Sequence, residues 1–189
     1  MTPTDRQGAA RAKRRRIEPT LYLVRHARAE NRERWNEPDA ERPLTRRGLE
    51  QSRVIAGHLA DLGERPLSRV LSSPAVRCRQ TVAPLAAAGG LEVIETRWLD
   101  EGSEPSYAFE QLRKLAVRLD PPSGVGGPVA ACTHGDVIWG ILEQLHELGI
   151  DLGPQPEAPK GGVWIFALTP VGVSSATFYQ PAEEKKARV

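Results

Sequence analysis

The sequence has 189 residues, of which 40% are hydrophobic and 26% are charged, and this balance is typical of one globular domain with its own core. No apolar run approaches the roughly 20 residues that a helix needs to cross a bilayer, and no apolar stretch of the signal-peptide type follows the basic N-terminus. We therefore expect a cytoplasmic protein that does not bind membranes. The two cysteines, Cys78 and Cys132, lack the spacing of a metal site and are expected to be buried free thiols.

Positive charge is concentrated at the N-terminus, although the formal net charge of the whole chain is only +2. Residues 1–18 contain six basic side chains against two acidic ones and show no apolar pattern. We predict a disordered, solvated leader over residues 1–18, a single domain over residues 19–180 and a second tail over residues 181–189. A basic leader could also contact nucleic acid or anionic lipid, but it lacks interleaved aromatic residues, so nucleic acid is not an expected partner.

Between these tails, short apolar runs alternate with segments of helical periodicity. The predicted strands cover residues 20–24, 67–72, 91–95, 128–133, 162–169 and 173–179. The predicted helices begin after Thr45, at Ser73 with Pro74 in the first helical position, near residue 106 and at residue 136. Because strands that alternate with helices form βαβ units, we predict an α/β fold whose mostly parallel central sheet is covered by helices on both faces.

The segment between the first strand and the first helix is unusually long. Residues 25–44 are too numerous and too polar for a plain connection. Insertions of this kind inside a compact domain are usually functional or disordered. Trp35 in this segment is interpreted either as a lid over a substrate or as a cover for the edge of the domain.

Cationic and imidazole side chains follow three predicted strands at the point where each strand ends. Arg25 and His26 leave the first strand, Arg77 lies early in the helix after the second, and His134 follows strand 128–133. Ligands of α/β proteins bind at the carboxyl ends of the strands, so we expect one shared site. Its cations repel one another unless an anion lies between them, and guanidinium groups match phosphate oxygens bidentately. The pattern therefore predicts a site for a phosphoryl group. The sequence has neither a P-loop lysine motif nor an aspartate cluster suited to magnesium, so we expect neither a metal ion nor a cofactor.

These residues belong to four motifs, which are LVRHA, RPLTRRG, SSPAVRCRQT and CTHGD. In order and spacing the motifs resemble those of the histidine phosphatase superfamily, and the resemblance covers roughly residues 20–180. It implies the phosphoglycerate-mutase-like fold, a three-layer α/β/α sandwich. RHA and RPLT are most similar to SixA-type phosphohistidine phosphatases, whereas SPAVRCRQT and KGGVW also resemble the phosphatase domain fused to some Nudix hydrolases. No Nudix box is present. RHARAENRERWN departs from the RHGESxWN of phosphoglycerate mutases, which argues against mutase activity.

The resemblance also implies roles for the residues at the strand ends. His26 would be the nucleophile that becomes phosphorylated. Arg25, Arg77 and His134 would bind the phosphoryl oxygens and stabilise charge in an in-line transition state. Water would then hydrolyse the phosphohistidine. The cationic neighbours favour the neutral form of the His26 imidazole, which is the nucleophilic form.

The family takes its proton donor from the loop after the third strand. In WLDEGSEP this loop offers Asp100, Glu101 and Glu104, and the spacing favours Glu101, with a solvated acidic loop as the alternative. Further substrate contacts are expected from three residues of the motifs and of the KGGVW run, although a surface position is the alternative for the first of them. These residues are Arg42, Thr133 and Lys160.

Together these expectations describe a metal-independent phosphatase that forms a phosphohistidine intermediate. Its first candidate substrate is phosphohistidine in a protein, because a domain without large insertions leaves the pocket open to a protein surface. A small phosphomonoester or a nucleotide is the alternative. A module that binds phosphate or nucleic acid without catalysis is a third possibility, but anion binding alone needs only the arginines and would leave both histidines unexplained.

Overall fold

The helices and strands of the computed structural model follow the predicted chain order. The structure describes residues 20–62, 65–117 and 127–181, so the predicted leader and residues 182–189 of the predicted tail lie outside the described residues. The strands are β1 (Thr20–Arg25), β2 (Arg69–Ser72), β3 (Val93–Glu95), β4 (Val129–Thr133), β5 (Val163–Thr169) and β6 (Gly172–Tyr179). The helices are α1 (Arg46–Leu62), α2 (Val76–Ala88), α3 (Pro105–Val117) and α4 (Gly135–Glu147). Within the described ranges, no helix is long and apolar enough to cross a membrane.

The described strands form one six-stranded mixed sheet in the order β3-β2-β4-β1-β5-β6. β1 pairs in parallel with β4, and β2 pairs in parallel with β4 and β3, which confirms the predicted parallel centre. β5 is antiparallel to β1, and β6 is antiparallel to β5. Only Pro170 and Val171 separate β5 from β6, and such a short turn can join only antiparallel strands. This hairpin is what makes the sheet mixed.

Alternation along the central strand β1 divides the core into two halves. Leu21 and Leu23 pack with buried residues of α3 and α4. Tyr22 and Val24 point to the opposite face and pack with buried residues of α1 and α2. β4 is buried at every position, as expected for a parallel strand that is covered by helices on both faces. The predicted three-layer α/β/α architecture is therefore confirmed.

The start of α1 agrees with the prediction, whereas the start of α2 does not. Oγ1 of Thr45 accepts a hydrogen bond from the backbone N–H of Gly48 at 3.0 Å, so Thr45 caps α1. α2 begins at Val76, and the prediction that Ser73 caps it with Pro74 in the first position is wrong. The hydroxyl of Ser73 instead contacts side chains that follow β3 and β4, and such long-range competition is invisible in a local sequence pattern.

The long segment 25–44 forms a loop along the carboxyl edge of the sheet. It contains two short 3₁₀ helices, Arg32–Arg34 and Asp39–Glu41. Nε1 of Trp35 donates a hydrogen bond to the carbonyl oxygen of Pro38 at 3.1 Å, so this indole binds within its own loop. The loop supplies many of the residues that surround the candidate site.

Candidate active site

The carboxyl ends of the central strands bring the predicted site residues together. Arg25, the last residue of β1, is paired in register with Thr133, the last residue of β4. His26 and His134 directly follow these strands, and their ring centroids are 5.4 Å apart. Arg77 approaches from the first turn of α2, where its Nη2 lies 3.3 Å from Nδ1 of His134. The two arginines and the two histidines of the sequence prediction thus form one cluster.

His26 is buried in this cluster in its neutral form. Only 6% of its surface is exposed. Its Nδ1 lies 2.8 Å from the carbonyl oxygen of Ala27, and because a carbonyl oxygen can only accept, Nδ1 carries the proton. Burial, more than the positive charges around it, lowers the pKa of His26 from 6.5 to about 3. Nε2 therefore keeps its lone pair at neutral pH, as a nucleophile requires.

Arg77 is buried and Arg25 is partly buried, and hydrogen bonds satisfy each guanidinium group only in part. Nη1 of Arg77 donates to the carbonyl oxygen of Asp39 at 2.8 Å, and Nη2 donates to Oε2 of Glu101 at 3.0 Å. Nη1 of Arg25 donates to the carbonyl oxygen of Ala158. The Nε–H of each arginine is buried without an acceptor among the described residues. Because buried donors are rarely left unpaired, both guanidinium groups suit a site for an anion.

The glycine of the CTHGD motif makes room for one of these guanidinium groups. A Cβ at Gly135 would lie 2.8 Å from Cζ of Arg25, so a larger residue would displace that side chain. Gly135 is also the first residue of α4, and the N-terminal amides of a helix favour negative charge. Arg25 therefore lies next to a second element that attracts anions.

A chain of hydrogen bonds fixes the orientation of the His134 ring. Its Nε2 lies 3.0 Å from Oγ of Ser73, whose hydroxyl donates to Oδ1 of Asp100 at 2.7 Å. Because the hydroxyl proton is directed to Asp100, Nε2 of His134 is the donor, and Nδ1 keeps the lone pair beside Arg77. Sequence reasoning treated Asp100 only as a possible proton donor and Ser73 only as a helix cap. The position of Ser73 inside the SSPAVRC motif was the one available signal.

Asp39 is a site residue that the sequence analysis missed. It binds both Nε and Nη2 of Arg32 at 3.0 Å. It also lies 2.9 Å from Nε of Arg42 and 3.0 Å from Nη1 of Arg77. The hydrogen bond from Arg32 is the main reason that the pKa of Asp39 lies well below its ordinary value. The only signal in the sequence was its position three residues before the RPLT motif, in which Arg42 is buried rather than on the surface.

Glu101 is the acidic residue of its loop that lines the cavity described below. Its Oε2 accepts hydrogen bonds from Arg32 at 2.5 Å and from Arg77 at 3.0 Å. The other two acidic candidates of the loop are engaged elsewhere. Asp100 accepts the hydroxyl of Ser73, and Glu104 accepts backbone N–H groups at the start of α3. In this arrangement Glu101 accepts hydrogen bonds as an ion-paired carboxylate.

A cavity of about 730 Å³ lies beside the nucleophilic histidine. The residues that line it are Arg25, His26, Arg28, Ala29, Glu30, Asn31, Arg32, Glu33, Arg42, Thr45, Glu101 and Lys160. The hydroxyl of Thr133, in contrast, is fully buried and donates to the carbonyl oxygen of Leu99 at 2.7 Å, so the structure does not bring it to the cavity. Over the part of the chain that is described, no group of three or more His, Cys, Asp or Glu side chains is arranged to hold a metal ion.

The motifs around this cavity are also those of a known family. Residues 21–118 match the family model of the histidine phosphatase superfamily, branch 1. The chain belongs to the histidine phosphatase superfamily. This match confirms the resemblance that the four sequence motifs predicted, and it covers the segments that contain Arg25, His26, Arg42, Arg77 and Glu101.

The curated relatives of this chain are longer than the segments that align with it. An 8-oxo-(d)GTP phosphatase of Mycolicibacterium smegmatis is 29% identical over 184 residues, which are 97% of this chain and 55% of that protein. An uncharacterised protein of Picosynechococcus is 41% identical over 68 residues, which are 36% of this chain and 40% of that protein. The chain thus spans about half the length, or less, of these curated relatives.

Solved structures of other superfamily members share the fold. SixA from Agrobacterium tumefaciens has a TM-score of 0.67 at 23% identity, over 86% of this chain and 99% of that one. A protein histidine phosphatase SixA complexed with tungstate has a TM-score of 0.65 at 21% identity, over 85% and 94% of the two chains. A phosphoglycerate mutase of Plasmodium falciparum has a TM-score of 0.55 at 19% identity, over 90% and 96%. At these identities the likeness establishes the α/β fold and nothing about the substrate.

Proposed function

We propose that the protein is a phosphatase in which His26 accepts the phosphoryl group and water then removes it. The observation that carries this proposal is the state of His26: its Nδ1–H is bound to Ala27, its Nε2 is free to attack, and burial lowers its pKa to about 3. The buried Arg77, the partly buried Arg25 and a second histidine lie around this ring. A binding module needs the positive charge but has no use for a neutral imidazole.

Each step of the reaction has a group suited to it. The lone pair on Nε2 of His26 attacks phosphorus, a P–N bond forms, and the bond to the leaving group breaks with its electron pair. Arg25 and Arg77 neutralise the phosphoryl oxygens, and His134 is placed to contact the same group. Water then attacks phosphorus, the P–N bond breaks, and inorganic phosphate leaves with the proton of the water. His26 regains its lone pair.

Proton donation by Glu101 is part of the proposal only for substrates with poor leaving groups. Its Oε2 is bound to Arg32 and Arg77, so these ion pairs must open before the carboxyl group can carry a proton to substrate. The leaving groups of aryl phosphates, phosphohistidine and phosphoanhydrides depart without such help. While its ion pairs are intact, Glu101 does not donate a proton, and the site therefore favours substrates of these three classes over alkyl phosphates.

Two substrate classes remain candidates within this mechanism, and a separate observation favours each. Phosphohistidine in a protein is favoured by the compact domain and by the exposure of the cavity-lining residues Arg28 and Lys160. A small phosphorylated molecule is favoured by the relative described as an 8-oxo-(d)GTP phosphatase, which aligns with 97% of this chain. Neither class requires a metal ion in the chemistry proposed for His26.

Hydrolysis of p-nitrophenyl phosphate tests the covalent mechanism without choosing between these classes. We expect His26→Ala to lower kcat by at least about 10³-fold, and we expect wild-type protein, but not the variant, to carry acid-labile phosphate after a quench. His146→Ala is the matched control, because His146 is exposed on α4 and does not line the cavity. Full turnover by His26→Ala, or activity that EDTA removes and magnesium restores, would contradict the proposal.

A further inference from the structure

The cations around the cavity differ in whether they have a counterion. Arg32, Arg42 and Arg77 are all ion-paired with Asp39, and two of them also bind Glu101. Arg28 and Lys160 line the same cavity, but neither forms an ion pair with any described residue. Asp39 and Glu101 thus compensate the charges of the three other arginines, whereas Arg28 and Lys160 keep theirs. Glu30 and Glu33 also line the cavity, but no ion pair joins either of them to Arg28 or Lys160 in the described chain.

The backbone holds Lys160 beside the nucleophile. The next residue, Gly161, donates its N–H to the carbonyl oxygens of Arg25 and His26, each at 3.2 Å. Gly161 has a φ of 78°, a conformation that glycine adopts without strain, so this close turn depends on it. The carbonyl oxygen of Gly162 accepts the N–H of Arg25 at 3.0 Å. Gly161 thus donates to the end of β1 and Gly162 accepts from it, and Lys160 directly precedes these two glycines.

The backbone of Arg28 is also anchored, and it contacts Gln51, the same side chain that a Cβ at Gly161 would approach to 3.6 Å. Arg28 follows His26 by two residues, and its N–H donates to Oε1 of Gln51 at 3.0 Å. Its carbonyl oxygen accepts both the N–H and the hydroxyl of Thr45, at 2.9 and 3.1 Å. Because α1 fixes the backbone of Arg28, its guanidinium can reach only a limited region, and it lines the cavity.

The positive charges of the site lie close enough to influence one another. Partial desolvation, and then the charges of the surrounding arginines, lower the pKa of the exposed Lys160; these arginines are Arg25, Arg42, Arg28 and Arg77. Like charges held together in this way are stabilised when an anion binds between them. The transferred phosphoryl group already has Arg25 and Arg77, and a cavity of about 730 Å³ is of the size that holds whole small molecules.

We propose that Arg28 and Lys160, named here the rim pair, form a second anion subsite that binds the phosphoryl group next to the one transferred. The substrates are then phosphoanhydrides, in which a terminal phosphoryl group is followed by one or more others. The inference rests on the proposed function, because it places the terminal group on His26. Nucleoside triphosphates and inorganic polyphosphates share this chemistry.

The reaction balances without a further reactant. Nε2 of His26 attacks the terminal phosphorus, the P–O bond to the bridging oxygen breaks, and that oxygen leaves with the electron pair as part of the shortened phosphate chain. The rim pair neutralises the charge that develops on this leaving group. Because a phosphate oxygen is a good leaving group, the ion-paired Glu101 need not supply a proton.

Binding of inorganic pyrophosphate and inorganic phosphate, measured by calorimetry on the full chain, tests the subsite independently of turnover. We expect wild type to bind pyrophosphate at least about tenfold more tightly than phosphate. Lys160→Met and Arg28→Met should each reduce this ratio about fivefold or more. Arg34→Met is the matched control, because this substitution also removes one positive charge. Arg34 is exposed in the same loop as Arg28 and does not line the cavity. The subsite is refuted if pyrophosphate has no advantage, if both rim variants keep it, or if Arg34→Met loses it equally.

A comparison of three substrates distinguishes phosphoanhydrides from phosphohistidine as the substrate class. A nucleoside triphosphate, inorganic tripolyphosphate and a phosphohistidine peptide are compared by kcat/KM in wild type and in Lys160→Met. Preference of wild type for either anhydride, reduced in the variant, supports the inference, and the better of the two identifies the source. Preference for the peptide, or a preference for anhydride that the variant retains, overturns it. Continued turnover by His26→Ala would instead refute the covalent mechanism while leaving the calorimetric ratio intact.

Discussion

Two groups of cationic and imidazole side chains at the candidate site, named here the floor and the rim, lie in different surroundings. The floor consists of His26, Arg77 and His134, which are buried and hydrogen-bonded, and of which His26 lines the cavity. The rim consists of the rim pair and Arg32, whose side chains are exposed. Burial lowers the pKa of His26 to about 3, whereas solvent weakens every charge on the rim.

This difference separates chemistry from selection. A buried guanidinium acts in a low-dielectric environment and stays in place, so its removal should affect the transition state directly. An exposed guanidinium contributes mainly through substrate binding, and its effect should decline as salt is added. The floor is therefore expected to govern kcat, and the rim is expected to govern the choice of substrate.

The largest contrast is expected between two arginines that share the same partners. Arg77 and Arg32 both bind Asp39 and Glu101, but their side chains are 2% and 58% exposed. Arg77→Ala should lower kcat/KM for an aryl phosphate by about 10³-fold, and Arg32→Ala by less than about tenfold. Steady-state kinetics at two salt concentrations measures both. Equal losses would show that burial of an arginine does not decide its role.

Acid should lower the free energy of unfolding of the protein mainly through the buried His26 of the floor, and less through the exposed cations of the rim. Unfolded His26 binds a proton near pH 6.5, but folded His26 binds one only near pH 3, so its contribution to stability is lost as the pH falls between these values. The lowered pKa of Asp39 acts in the same direction. The free energy of unfolding of His26→Gln should therefore fall a few kcal/mol less than that of wild type over this range.

Urea denaturation at a series of pH values provides this measurement. His146→Gln is the control, because His146 is exposed and should leave the pH dependence of wild type unchanged. If His26→Gln lost stability as steeply as wild type, the buried neutral state of His26 would not be the origin of the acid sensitivity.

A smaller effect is expected from the residues that orient the floor. Ser73→Ala and Asp100→Asn each break the chain of hydrogen bonds to His134, and each should lower kcat about tenfold. Since both act through one chain, the double variant should lose little more than either single variant. Ser103→Ala removes a hydroxyl of the same loop that binds the carbonyl oxygen of Arg97 instead, so it should have no effect. Multiplicative losses would mean that the two residues act separately.

The smallest effect is expected outside both regions. Residues 1–18 show no apolar pattern in the sequence, so their deletion should change kcat/KM less than about twofold and leave the melting temperature nearly unchanged. Calorimetric melting and aryl phosphate kinetics on the shortened chain provide the check. A large fall in melting temperature would extend the comparison to a third region that packs on the domain.

Much of the floor was predictable from the chain alone. Hydrophobic runs located the strands to within about two residues, and residues that follow parallel strands must meet at one edge of the sheet. Arg25, His26, Arg77 and His134 were brought together for this reason. The family motifs that contain them were equally readable, since they are contiguous in sequence.

The remaining features depend on contacts between segments that are distant in sequence. Asp39 became a partner of Arg77 only because an irregular loop carries it back over α2, and Ser73 bonds to His134 rather than capping a helix. Periodicity does not encode such loop paths or such competition for a hydroxyl. The attachment of the KGG segment to β1 likewise needed the folded chain, because only the backbone bonds of Gly161 place Lys160 beside the nucleophile. Local patterns therefore specified the strands and their end residues, while tertiary hydrogen bonds selected the counterions, the tautomers and the rim.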